Sequence, residues 1–233
     1  MTPYENKTIK DSIHEERQKL KNMSLKNRAW YIWEYYKIPI IGIVTAVVLL
    51  SSIGFSMYQN RFDTALSCVI LNSLPTTEQP SVEKYLDQDF RLYAKLPEDE
   101  KISVDYSMNI TFEEASMSEF TYAELAKLTA MISSKELDVM IGKPEVIDHY
   151  GAMGGFLNLE ECLPPDLYET VKDRLYTVQN QETGEAVFCG LLLDEEDFAS
   201  KTGLSMEKPI LCVMKNSTHT DTAVKLIRYM LMP

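Results

Sequence analysis

Histidine, tryptophan and cysteine are scarce in this chain: three, two and four among 233 residues. The histidines, His14, His149 and His219, stand far apart. No His/Cys/carboxylate cluster has metal-site spacing, so neither a metal nor a cofactor is expected. Also missing are Gly-x-Ser-x-Gly, a Gly-rich phosphate loop and His-Glu-x-x-His, the short patterns that build a serine nucleophile, a nucleotide site or a catalytic zinc. Gly151-Ala-Met-Gly-Gly155 has the wrong spacing for a dinucleotide fingerprint and reads as a turn. These absences argue against an enzyme. Dispersed acids such as Asp138 and Asp148 keep an unrecognised cell-surface hydrolase open as one alternative.

Positive charge is also in short supply. Lys and Arg total 23 against 35 Asp and Glu, a net charge of −12. That excludes a broad nucleic-acid surface, which needs cations to replace phosphate counterions. The deficit is uneven: residues 1–37 carry eight Lys/Arg against five Asp/Glu, and the rest carry 15 against 30. The division falls at an apolar run, as it does at a membrane boundary.

Charge is missing altogether from Ile38 to Asn60. A helix of that length spans roughly 34 Å, slightly more than the ~30 Å hydrocarbon core of a bilayer. Residues 38–60 are therefore expected to cross the membrane, with lipid as their partner. Pro39 is expected in the first turn, where a missing N–H costs little. Trp30, Tyr31, Trp33, Tyr35 and Tyr36 precede the run, and rings of this kind collect at the headgroup level. Lys19, Lys21, Lys26, Arg28 and Lys37 lie before the span and only Arg61 lies close after it. The positive-inside rule then puts residues 1–37 in the cytoplasm and 61–233 outside the membrane. A cleaved signal fits poorly, because the preceding region is long and the run exceeds the usual ~7–15 residues. Cys68, the first cysteine, follows charged Arg61 and Asp63, which argues against a lipoprotein signal. Within the tail, residues 9–28 are expected to be helical with a break near Asn22–Ser24, and Ser24 can cap the helix that enters the membrane. That basic, aromatic stretch is foremost a topology signal, and contact with anionic lipid is the alternative.

Residues 61–233 are numerous enough for one core. Strand-like runs are Thr64–Leu71, Ile102–Met108, Leu137–Gly142, Leu175–Gln179, Glu185–Leu193 and Pro209–Met214. Helical patterns are Ser81–Leu96 (Ser81 at the cap), Ser118–Ser133 (stripe Tyr122, Leu125, Leu128, Ile132), Pro144–Tyr150, Asp166–Leu175 and Asp221–Leu231, the last with a Thr218/Asp221 capping box. Alternation of this kind predicts an α/β fold with a largely parallel sheet, the strands at 66–71, 102–108, 137–142 and 209–214 sharing it. Cys68, Cys162, Cys189 and Cys212 all fall in this part. Three of them sit in apolar runs, so buried thiols are favoured over the three possible full disulfide pairings. Asp194-Glu-Glu-Asp197 reads as an acidic helix start favoured by the dipole.

Glu136–Leu159 (ELDVMIGKPEVIDHYGAMGGFLNL) and Pro209–Leu231 (PILCVMKNSTHTDTAVKLIRYML) resemble, in that order, two segments of the extracellular solute-binding proteins of bacterial ABC transporters. In that family a strand leads into a short helix with a tyrosine and then a Gly/Leu segment near a hinge; a later strand leads into a closing helix. The resemblance implies a single Rossmann-like lobe of a periplasmic-binding-protein kind on one membrane helix. Only residues 160–208 separate the two segments, too few for a second lobe, so a shortened, anchored relative is implied.

In an open α/β sheet ligands gather beyond the carboxyl ends of the strands. Those ends carry Asn72, Ser73, Asn109, Gly142, Lys143, Lys215, Asn216 and Ser217. They offer amides, hydroxyls and two cations in an acidic domain, near the helix start after Pro144. The expected partner is a small polar or anionic solute, and a membrane protein is the other candidate. Turn formation by the same residues is the plainer reading. The sequence thus points to a single-pass, membrane-anchored binding or interaction domain, with a structural subunit of a cell-envelope or membrane complex as the first alternative and the hydrolase as the second.

Overall fold

The computed structural model describes residues 24–59, 63–76 and 81–232. The chain divides into two compact units, Met1–Arg61 and Phe62–Pro233.

In the first unit one helix, α1 (Leu25–Gln59), carries both the aromatic cluster and the apolar run. Ser24 starts it: its hydroxyl accepts the Asn27 N–H at 3.4 Å. The expected helix over residues 9–23 lies outside the described residues. Pro39 falls inside α1 rather than in a first turn, because the helix begins at Leu25. The carbonyl four residues earlier therefore lacks its usual donor, a defect that membrane helices tolerate. Lys37–Phe55 is long and apolar enough to cross a membrane. Ile38, Ile41, Val44, Val48, Leu50 and Phe55 are all exposed, an apolar surface suited to lipid and costly in water.

The second unit is built from β1 (Thr64–Ile70), β2 (Leu74–Pro75), a π-helical turn Lys84–Asp89 running into α2 (Phe90–Ala94), β3 (Lys101–Asp105), α3 (Glu119–Ser133), β4 (Val139–Gly142), α4 (Pro144–Ala152), α5 (Leu159–Cys162), α6 (Pro165–Val171), β5 (Leu175–Gln179), β6 (Ala186–Leu192), α7 (Glu195–Thr202), β7 (Leu204–Ser205), β8 (Ile210–Val213) and α8 (Thr220–Met230). Six strands form one sheet in the order β3-β1-β4-β8-β6-β5, and β2 pairs with β7 separately. All four strands expected to share a sheet do so.

The sheet is mixed rather than largely parallel. Only β1 with β3 and β1 with β4 are parallel. The short β5–β6 connection permits only antiparallel pairing, and β8 inserts between β4 and β6 antiparallel to both. β1 is buried on both faces: Leu66, Cys68 and Ile70 point into one core, Val69 and Leu71 into the other. The first core is closed by Phe90, Leu159, Leu167, Phe198 and the α8 stripe Ala223, Leu226, Ile227 and Met230. The second is closed by Leu128 of α3 with Val146 and Ile147 of α4. Helices thus cover both faces, the layering that buried strands require.

Local chemistry moves several boundaries. β3 stops at Asp105, whose carboxylate accepts the Ser107 N–H and hydroxyl and turns the chain. β1 stops before Asn72, which is left-handed at φ 59°. α6 ends at Val171, and a 3₁₀ turn leads into β5 at Leu175. The buried stripe of α3 runs Thr121, Glu124, Leu128, while Tyr122 faces outward. Ser81 does not cap its helix, because its hydroxyl donates to the Lys201 carbonyl. Nor does the Thr218/Asp221 box form, because the Ser217 hydroxyl takes the His219 N–H. All four cysteines are free thiols.

Candidate functional site

The sheet direction separates the eight candidate residues into two groups. Because β8 runs opposite to β4, its carboxyl end lies beside Asp138 at the start of β4, with Val139 opposite Val213 and Gly142 opposite Ile210. Lys215, Asn216 and Ser217 are therefore at the other end of the sheet from Asn72, Ser73, Asn109, Gly142 and Lys143. The two groups do not form one site.

At the first end most polar groups serve the fold. Asn72 clamps Ile110 through both amide atoms, at 2.8 and 2.7 Å. The Asn109 N–H donates to the buried carboxylate of Glu124. Ser73 Oγ is buried with no partner among the described residues. The Lys143 carbonyl receives the N–H groups of Val146 and Ile147 as α4 begins.

At the second end the sheet splits. β6 pairs with β8 only over Gly190–Leu192. Beyond that, β8 continues as Met214 and Lys215 and takes a new neighbour: Leu157 N–H donates to Val213, Lys215 N–H donates to Gly155, and Phe156 bridges to Met214. The β5–β6 ladder slips register at the same point, where Tyr176 faces Gly190 and Thr177 faces Phe188. Cys189 is the extra residue of this bulge, a device that redirects a strand. Gly190 permits the bulge: a Cβ there would stand 2.5 Å from Ile210 Cγ2 and 2.9 Å from Cys212 Sγ.

The fork leaves a cleft of about 260 Å³. Phe156, Leu157, Ala186 and Val187 give it apolar surface, while Asn158, Glu161, Asn180, Glu185 and Lys215 bring polar groups. Gly151 and Gly154 line another wall. Gly154 is left-handed at φ 71°, which glycine adopts without strain. The expected turn thus forms part of the cleft wall. An apolar surface with a few converging polar groups is the usual make-up of a small-molecule site.

The loop carrying Lys215 is anchored from below. Asp138, 1% exposed, accepts the Ser67 N–H at 2.8 Å, the Ser217 hydroxyl at 2.6 Å and contacts His219 Nδ1 at 3.0 Å. Its carbonyl also receives the Met214 N–H. Asn216 Nδ2 adds a bond to the Ile132 carbonyl at 2.6 Å. A buried carboxylate is retained only when it is so satisfied. Burial and then the Asp138 carboxylate push the Cys68 thiol up to about 12. Cys68 is thus an inert core thiol.

Ser217, His219 and Asp138 share the composition of a hydrolytic triad but not its wiring. The serine hydroxyl donates to the aspartate rather than to the histidine, and no hydroxyl or thiol among the described residues bonds His219 Nε2. A nucleophile needs a base at its own proton. Asp148 is elsewhere: exposed on α4, it accepts the Tyr176 hydroxyl at 2.9 Å. Burial and then this bond raise Tyr176 to about 12. Asp138 and Asp148 therefore have different hydrogen-bond partners, Ser67 and Ser217 for one and Tyr176 for the other. No group of three or more His, Cys, Asp or Glu capable of holding a metal occurs among the described residues.

Of the cleft residues, only Lys215 was marked by the sequence. Asn158 and Glu161 come from the start of α5, and Asn180 and Glu185 from the β5–β6 turn, segments that meet only because the sheet forks. The Asp138–His219 contact likewise depends on β8 being the neighbour of β4. Gly154-Gly155 was the available signal, and it read as a simple turn. The chain matches no protein-family model, no curated protein and no solved structure.

Proposed function

We propose that this chain is a single-pass membrane protein whose residues 61–233 form an extracytoplasmic binding domain for a small polar solute. The observation that carries the proposal is the cleft at the sheet fork, where apolar surface and several polar groups line one space. The apolar helix Lys37–Phe55 and the basic residues before it support the anchored topology. The resemblance of Glu136–Leu159 and Pro209–Leu231 to solute-binding proteins supports the same reading. Those two segments supply much of the cleft: Gly151 to Asn158 from one, Lys215 from the other. The lobe is then a Rossmann-like relative of those proteins, with its ligand at the fork.

A structural role in an envelope complex has less support. Among the domain's exposed apolar residues Phe120 and Tyr122 share α3, while Leu74, Leu92, Met153, Leu192 and Met232 lie elsewhere along the chain, and scattered exposure of this kind is ordinary. The test is thermal unfolding of the full-length protein in detergent against a library of polar metabolites. A stabilising compound whose effect is lost in Lys215→Met supports the proposal. Absence of any stabilising compound contradicts it. Protease added to intact cells should digest residues 61–233 and spare the tail, and protection of the domain would reverse the topology.

A further inference from the structure

Two unpaired charges of opposite sign share the cleft. Lys215 Nζ forms no ion pair among the described residues, and neither does the Glu185 carboxylate, although both line the same 260 Å³. They do not pair with each other, so both charges remain available to a group held in the cleft. Lys215 is exposed, where a surface ion pair would add little to the fold. Here its backbone is held in place, through the Lys215–Gly155 bond and the Asp138 anchor below.

The remaining polar groups are oriented as well. Asn180 Oδ1 accepts the N–H groups of Glu182 and Thr183 at 2.8 and 3.1 Å. These two donors fix which way the amide faces. Its Nδ2 is left without an acceptor among the described residues, 2.8 Å from where a Gly154 Cβ would stand. Any side chain at 154 would cover this donor. On the Asn158 side, Nδ2 holds Glu161 Oε1 at 2.9 Å and Oδ1 takes the Glu160 N–H. Glu161 Oε2 has no partner among the described residues. The cleft therefore offers two free donors, Lys215 Nζ and Asn180 Nδ2, and two carboxylates with free oxygens, Glu161 and Glu185.

Resting on the binding function proposed above, we infer that the cleft takes a small zwitterion, a molecule bearing both a carboxylate and an ammonium group. Lys215 and Asn180 receive the carboxylate; Glu161 and Glu185 receive the ammonium. The apolar surface of Phe156, Leu157 and Val187 meets the carbon skeleton. The volume lies just below the ~300 Å³ at which drug-sized sites begin, which limits the ligand to roughly amino-acid size. A purely anionic solute meets two carboxylates and one cation, and is the poorer match.

The test is titration calorimetry on the full-length protein in detergent. The common amino acids are added singly, with glucose as a neutral polar control. For any amino acid that binds, its decarboxylated amine and deaminated acid follow. The expected result is that at least one amino acid binds, and that each single-charge relative binds tenfold or more weakly. Lys215→Met and Glu185→Gln should each weaken the amino acid by tenfold or more while leaving the unfolding midpoint unchanged. Glucose binding that is lost in Lys215→Met, with no amino acid bound, would overturn the zwitterion while the binding function stands. No binding by any of these probes overturns the inference, and the metabolite library then decides the broader function separately. An amino acid whose affinity survives both substitutions would also overturn it, by locating the zwitterion elsewhere.

Discussion

The two ends of the sheet use similar residues for opposite purposes. Where the parallel strands end, both amide atoms of Asn72 are spent on the backbone of Ile110, and Asn109 gives its main-chain N–H to Glu124 and its side-chain Nδ2 to the Ser107 carbonyl. At the fork, Asn180 accepts two N–H groups of its own turn and keeps Nδ2 free, while Asn158 uses both amide atoms and holds Glu161, whose second carboxylate oxygen is free among the described residues. An amide at a strand end thus says little about binding. What matters is whether a free polar atom, on the amide or on the group it holds, lines a cleft, and that depends on how neighbouring strands diverge.

The comparison is broken most severely at the anchor under the fork. Asp138→Ala leaves the Ser67 N–H, the Ser217 hydroxyl and His219 without their acceptor. Leaving a buried donor without its acceptor costs about 1–3 kcal/mol for each group, measurable by chemical unfolding in detergent. A loss under 1 kcal/mol would mean that the loop is held by other contacts. Gly190→Ala tests the fork itself. Its Cβ would press on Ile210 and Cys212, and overpacking of this kind costs about 1–3 kcal/mol. A neutral substitution would mean that the strands part for another reason.

At the closed end, Asn72→Ala removes two hydrogen bonds and leaves a left-handed residue with a less tolerant side chain. The expected cost is about 1–3 kcal/mol from the bonds, with no effect on solute binding. The contrasting change, Lys215→Met, should alter stability by less than about 0.5 kcal/mol, as surface substitutions usually do, and abolish solute binding. If Asn72→Ala impaired binding and Lys215→Met did not, the ends would have to exchange roles.

The smallest effect concerns pH. Burial raises the Asp105 carboxyl, but the hydrogen bonds from Lys127 and Ser107 outweigh it and leave the group below its ordinary value. A depressed carboxylate stabilises the fold above its unfolded value of about 3.9, and that contribution fades as pH falls through the folded value. Lys127→Met should therefore lower the unfolding midpoint near neutral pH, with the difference from wild type shrinking in acid. A constant difference down to strongly acidic pH would contradict the assignment.

Much of this arrangement was legible in the residues. The uncharged run at 38–60, the buried β1 and the apolar stripe of α8 follow from length and periodicity. The end of β3 at Asp105 and the start of α3 at Ser118, whose hydroxyl accepts the Thr121 N–H, depend on local side-chain chemistry. Strand direction was not legible, because the pattern of a doubly buried strand is the same either way up. That one unknown misplaced Lys215, Asn216 and Ser217 and hid the contact between Asp138 and His219. The cleft lay deeper still, since a register slip at Cys189 and an inserted segment at Gly155–Leu157 leave no periodic trace.

Amide hydrogen exchange on the full-length protein in detergent, with and without the small-molecule fraction of a bacterial extract, distinguishes the two ends directly. Protection confined to residues 151–158, 180–187 and 215 is the predicted result. Protection centred on residues 72–73, 109 and 142–143, or no change anywhere in the domain, would contradict the assignment of the binding site to the fork.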